Sequence, residues 1–178
     1  MKIWAALRSA GLGWLMLLRG EPGWRAHFAL TAPGLATALV IFACTTFIAV
    51  AIASLGIGAA SLVGIVAAML ALALPLAAML VVLLGTRSAM HSTEPVLDVL
   101  VPATYALIAF MLVEGLLALL GPAVMLAWLG LAFLLYRLAR AATTWNVAIS
   151  AGFAVLTVVL LVAMRMALYM VSCAGVPT

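Results

Sequence analysis

Along this chain the apolar residues neither alternate nor recur every three or four positions. They run on in long blocks divided by short polar breaks. A block of roughly 20 apolar residues reads as a membrane-spanning helix, because about 30 Å of hydrocarbon is crossed at about 1.5 Å per residue. Five blocks reach or approach that length: 27–54, 59–84, 95–120, 122–138 and 145–171. They lack the alternation of a barrel strand, and a helix satisfies its own backbone groups in lipid. The expected fold class is an all-α integral membrane protein with five transmembrane helices.

A shorter apolar stretch, 3–18, precedes these. Lys2 and Arg19 flank it and Arg8 interrupts it. Arg8 and Arg19 are spaced by close to three helical turns and share a face. With Trp4 and Trp14 as anchors, the pattern predicts an N-terminal interfacial amphipathic helix in the headgroup plane. Arg8 and the lack of a small-residue cleavage site argue against a removed signal peptide. Residues 1–25 are thus expected to form an interfacial segment and 26–178 a membrane domain.

The breaks carry their own signals. Glu21-Pro22-Gly23 ends the first helix, and Thr31, Pro33 and Gly34 predict an irregular start to the first span. Gly56-Ile57-Gly58 is a tight turn, and Pro75 should kink the second span. Residues 85–94 read as a polar loop. Ser92 or Thr93 can cap the third span, with Pro95 in its first turn and Glu94 and Asp98 complementing its dipole. Gly121-Pro122 turns the chain again, and Thr143-Thr144 can cap the fifth span.

Composition adds the solvent. With 70% hydrophobic and 7% charged residues, most of the surface must face lipid rather than water. The net charge of +4 comes without a basic patch interleaved with aromatics, which argues against nucleic acid. It reads as a topology signal instead. Lys2, Arg8, Arg19, Arg25, Arg87, Arg137 and Arg140 fall on one side of a five-span chain, and only Arg165 on the other. The positive-inside rule then puts the N-terminus in the cytoplasm and the C-terminus in the periplasm, for a chain whose Ala, Gly and Leu content fits a bacterial cytoplasmic (inner) membrane. Cys44 and Cys173 fall at different depths, so no disulfide is expected.

Chemistry-bearing residues are few. Glu114 and Arg165 fall at matching heights in the third and fifth spans, which run in the same direction, so they form a candidate intramembrane ion pair. No Asp, Glu, His, Lys or Arg lies near the middle of a span, which argues against ion-coupled transport. The hydroxyls there (Thr45, Thr46, Ser61, Thr104 and Thr157) more often bond a carbonyl one turn back than line a path. His91, Glu94 and Asp98 follow at helical intervals and form a candidate site in the cytoplasmic loop, although capping already explains the carboxylates. Gly56, Ala60, Gly64 and Ala68 recur every fourth residue and form a candidate helix-packing seam. No catalytic, metal or cofactor motif is present, and no cofactor is expected.

Pro102-Ala103-Thr104-Tyr105-Ala106, Gly121-Pro122 and Tyr136-Arg137-Leu138-Ala139-Arg140-Ala141-Ala142 occur in a layout of five close spans. Over roughly residues 26–172 this resembles the Yip-type (Ypt-interacting-protein) membrane domain. Eukaryotic members work in membrane traffic and bind small GTPases and one another. The resemblance implies a non-enzymatic protein with no catalytic residue to carry over. The long cytoplasmic N-terminal region of those proteins has no counterpart here, which weakens the GTPase analogy.

The expected function is therefore that of a non-enzymatic membrane protein. Its partners are the lipid bilayer and another membrane protein or itself. It would assist or stabilise a larger complex or organise the bilayer. The alternative is a transporter or channel component acting as a homo-oligomer, which a polar cavity lined by Thr45, Thr46 and Thr104 would favour.

Overall fold

Helix α4 (Leu97–Ala118) is the most enclosed element of the bundle, with 56% of its apolar window buried against 22–28% for the other long helices. Its run from Val99 to Met111 is buried on nearly every side. A helix apolar all round needs neighbours all round. In the computed structural model, which describes residues 3–54, 62–93, 95–118 and 121–174, they are α2 (Ala32–Ser54), α3 (Leu62–Ala89) and α5 (Val124–Ala142). Helix α6 (Val147–Ala174) packs on α5 and α3, and α3 returns to α2, closing a ring.

The outer faces remain apolar. Val40, Phe47 and Ile48 on α2, Leu126, Leu129 and Phe133 on α5, and Val155, Leu156 and Val159 on α6 are all exposed. Such a surface is at home in hydrocarbon. Among the described residues, five helices are long and apolar enough to cross a membrane. The chain is a multi-pass, all-helical membrane protein.

Helix α1 (Ile3–Arg19) is separate from the spans. Ala6, Ala10, Gly13 and Leu17 face inward, spaced by three or four residues, while Trp4, Arg8, Leu12, Leu15 and Arg19 face out. The inner face lies on the ends of α4 and α5 and on a 3₁₀ turn, Trp24–His27. Trp14 Nε1 donates to the Pro102 carbonyl at 3.2 Å, and Ser9 Oγ donates to the His27 carbonyl at 2.7 Å. Gly13 permits this approach, since a Cβ there would lie 2.6 Å from the Phe28 ring.

Several expected boundaries move, each for a local reason. The first span begins at Ala32, not 27, because residues 24–27 form the separate turn and Thr31 is the cap. Its Oγ1 accepts the Gly34 N–H at 3.3 Å, which satisfies a donor that the helix leaves open. Residues 85–94 are not all loop. Helix α3 continues to Ala89, since nothing in Gly85-Thr86-Arg87-Ser88 stops a helix, and passes through the buried Pro75 as one element. It ends at His91, whose φ of 49° is left-handed, with the Ser92 N–H bonded to the Arg87 carbonyl and the His91 N–H to that of Ser88. That is a Schellman ending built without glycine.

Helix α4 starts at Leu97, so Pro95 lies before its first turn and neither Ser92 nor Thr93 is adjacent to its start. Helix α5 runs to Ala142 rather than 138. The cap of α6 is Asn146, not Thr143-Thr144: Asn146 Oδ1 accepts the Ile149 N–H at 2.8 Å. Thr143 Oγ1 instead donates to the Ala139 carbonyl at the end of α5 and accepts the Trp145 N–H.

Candidate functional site

The connections on either side of α5 are short, so α4 and α6 both run antiparallel to it and parallel to each other. Arg25 spans the start of α4 and the end of α5, and Phe110 meets Trp128 further along the same pair of helices. Near the end where α4 and α6 finish, the structure brings Glu114 and Arg165 together. Arg165 Nη1 donates to Glu114 Oε1, and Nη2 to Oε2 at 2.9 Å. This two-pronged arrangement matches guanidinium to carboxylate and fixes both side chains. The Arg165 guanidinium also lies 5.0 Å from the centre of the Trp128 ring, which in turn meets Phe110 edge-on at 5.4 Å. Helices α4, α5 and α6 thus each contribute to one cluster.

The pair is only partly covered, with Arg165 30% and Glu114 15% exposed. Two apolar hollows open beside it. Glu114 shares a groove of about 580 Å³ with Gly64, Ala68, Gly115 and residues of α2. Arg165 shares a recess of about 380 Å³ with Trp128, Val162 and Met166. Of the expected seam, Gly64 and Ala68 line the groove, while Gly56 and Ala60 lie outside the described residues.

Comparison of the chain with protein-family models, with curated proteins and with solved structures finds no match.

The span hydroxyls turn back on the protein. Thr45 donates to the Ile41 carbonyl, Thr104 to that of Leu100 and Thr157 to that of Phe153. Thr46 meets the Met111 sulfur at 3.9 Å; Ser61 lies outside the described residues. Thr46 and Thr104 are buried, so these hydroxyls are spent within the bundle.

The loop cluster of His91, Glu94 and Asp98 separates into different roles. His91 ends α3, Glu94 lies outside the described residues, and Asp98 accepts from Arg25 Nε at 3.1 Å. Among the described residues no group of three or more His, Cys, Asp and Glu side chains gathers as a metal site would require.

A second set of arginine contacts went unread in the sequence. Arg137 donates to the carbonyls of Leu17 and Leu18 at the end of α1, and Arg25 to that of Ala142 at the end of α5. Arg140 donates to the Trp145 carbonyl and Arg87 to that of Ser92. Arg25, Arg87, Arg137 and Arg140, counted as a topology signal, are therefore also fasteners for helix ends and the loops behind them. Arg25 does this while lying 5.0 Å from the centre of the Trp24 ring. The one legible hint was position: these arginines fall close to breaks where carbonyls lose their helical partners.

Proposed function

We propose that the chain is a non-enzymatic membrane protein that acts by lateral association within the bilayer, organising lipid or supporting a larger membrane complex. The observation that carries this reading is the contrast between its interior and its flank. Thr45, Thr104 and Thr157 are bonded to their own helices, and Glu114 and Arg165 are bonded to each other. The hollows beside that pair, by contrast, lie at the flank and are otherwise lined mainly by apolar side chains, with Gly64, Ala68 and Gly115 in one of them. Small residues on a helix flank let another chain approach closely, which is how membrane helices associate without a hydrophobic driving force.

In this reading the arginine-rich end faces the cytoplasm of a bacterial cell, with the C-terminus in the periplasm. The five-span layout also supports placing the chain beside the Yip-type domain, whose eukaryotic members act through partners. The test is to tag the N-terminus, extract the chain in native lipid particles and identify what accompanies it by quantitative mass spectrometry. A stoichiometric membrane protein or an enriched lipid class is expected. Recovery with neither, together with solute flux through reconstituted vesicles, favours a transport component and overturns the proposal. A C-terminal reporter active only in the cytoplasm overturns the orientation.

A further inference from the structure

The position of the Glu114–Arg165 pair bears on what fills the hollows beside it. Glu114 is about 25 Å along α4 from Leu97, and Arg165 about 27 Å along α6 from Val147, at about 1.5 Å per residue. Hydrocarbon about 30 Å thick gives way to headgroups near that depth. The pair therefore lies near the headgroup boundary of the leaflet remote from the arginine-rich end. It forms a polar partition between two apolar hollows, with Glu114 on the wall of one and Arg165 on the wall of the other.

Neither member is exhausted by the other. A guanidinium has five N–H donors and a carboxylate about four acceptor positions, and the fork uses two of each. Both side chains keep some exposure through which the remainder can be reached.

We infer that the cluster is a seat for one zwitterionic phospholipid bearing a primary ammonium. Its phosphate lies against Arg165, its ammonium against Glu114, and one acyl chain enters each hollow. Charge complementarity selects this occupant. An apolar partner helix would fill the hollows while burying the spare donors of Arg165 without acceptors, which is costly in lipid. An anionic headgroup would satisfy Arg165 and be repelled by Glu114. A headgroup carrying both charges meets both. The inference rests on the lateral-association reading and gives that reading a lipid class.

The full chain, stripped of lipid in detergent, is titrated with equal amounts of phosphatidylethanolamine and phosphatidylglycerol and followed by native mass spectrometry. The expected result is one retained phosphatidylethanolamine per chain, preferred several-fold. Gly115→Leu is the decisive variant. A Cβ at Gly115 meets no atom within 4 Å, so the leucine fills groove space and leaves the ion pair in place. It should abolish the preference without lowering the melting temperature, and Glu114→Gln should weaken the preference independently. Equal retention of both lipids, or a preference that survives Gly115→Leu, overturns the inference. A dimer that excludes lipid from the native chain does so as well. Solute flux measured in vesicles from the same preparation tests the lateral-association reading by itself, so a chain that conducts yet holds its lipid separates the two failures.

Discussion

Arg137 donates a hydrogen bond from Nη2 to the carbonyl of Leu18 at 2.8 Å, across 119 residues of chain. The last turn of α1 leaves carbonyls without helical donors. Gly20, at φ 76°, supplies one solution: its own N–H returns to Leu17 and that of Glu21 to Met16. Arg137 supplies the other and brings positive charge to the negative end of the helix dipole.

Arg137→Ala should therefore loosen α1 from the bundle while leaving the spans intact. A charge-assisted hydrogen bond at a partly exposed site contributes roughly 1–2 kcal/mol. Hydrogen exchange in lipid nanodiscs should show faster exchange over residues 3–19 and little change in α4. Arg137→Lys, with a single ammonium in place of a planar fork, should restore only part of the protection. Uniform exchange across all helices would count against this attachment.

For the intramembrane pair the informative comparison is between single and double replacement. Glu114→Ala strands the Arg165 charge and should lower stability by roughly 2–3 kcal/mol, below the value for a fully buried pair because both groups keep some exposure. Replacing both by Met removes the stranded charge and should recover most of that loss. Thermal unfolding of the three proteins in one detergent measures it. A double variant as unstable as the single one would mean that the pair holds the bundle through more than charge balance.

Much of this was legible in the sequence, and the reasons differ by element. The five spans could be read because length and unbroken apolarity are local properties. The matching heights of Glu114 and Arg165 could be read because α4 and α6 run the same way. The ends of α3 and α5 could not, since helices continue through polar residues such as Thr86 and Arg140 whenever no breaker intervenes. Nor could the pairing of Arg25 with Ala142 or Arg137 with Leu18, which depends on how distant segments dock. Asn146 was within reach: an Asn just before an apolar run is a cap signal as strong as Thr.

The two glycine classes give a test of backbone approach. A Cβ at Gly34 would lie 1.8 Å from the Ala29 carbonyl oxygen, whereas at Gly130 it meets nothing within 4 Å. Gly34→Ala should force the start of α2 to shift and lower the melting temperature markedly. Gly130→Ala should be neutral or mildly stabilising, since alanine is the better helix former by up to about 1 kcal/mol. Equal melting temperatures for the two variants would contradict the close turn at residues 29–34.

Asn146→Ala should cost about 1 kcal/mol through loss of the α6 cap. Asn146→Asp should be at least neutral, because it keeps the acceptor and adds charge that the helix N-terminus favours. Chemical unfolding of both variants against the native chain reads the difference. A loss in the aspartate variant equal to that in alanine would mean that the Asn146 side chain does not act as an acceptor for Ile149.

The fastening of α1 by Arg137 also sets an order of manufacture. A chain emerging from the ribosome forms its N-terminal elements first, yet the guanidinium that completes the end of α1 belongs to residue 137 and arrives only with the fourth span. Arg25 waits similarly for the carbonyl of Ala142. The end of the first helix made is thus among the last to be closed, and a chain interrupted before α5 holds α1 only by its contacts with the Trp24–His27 turn and α4.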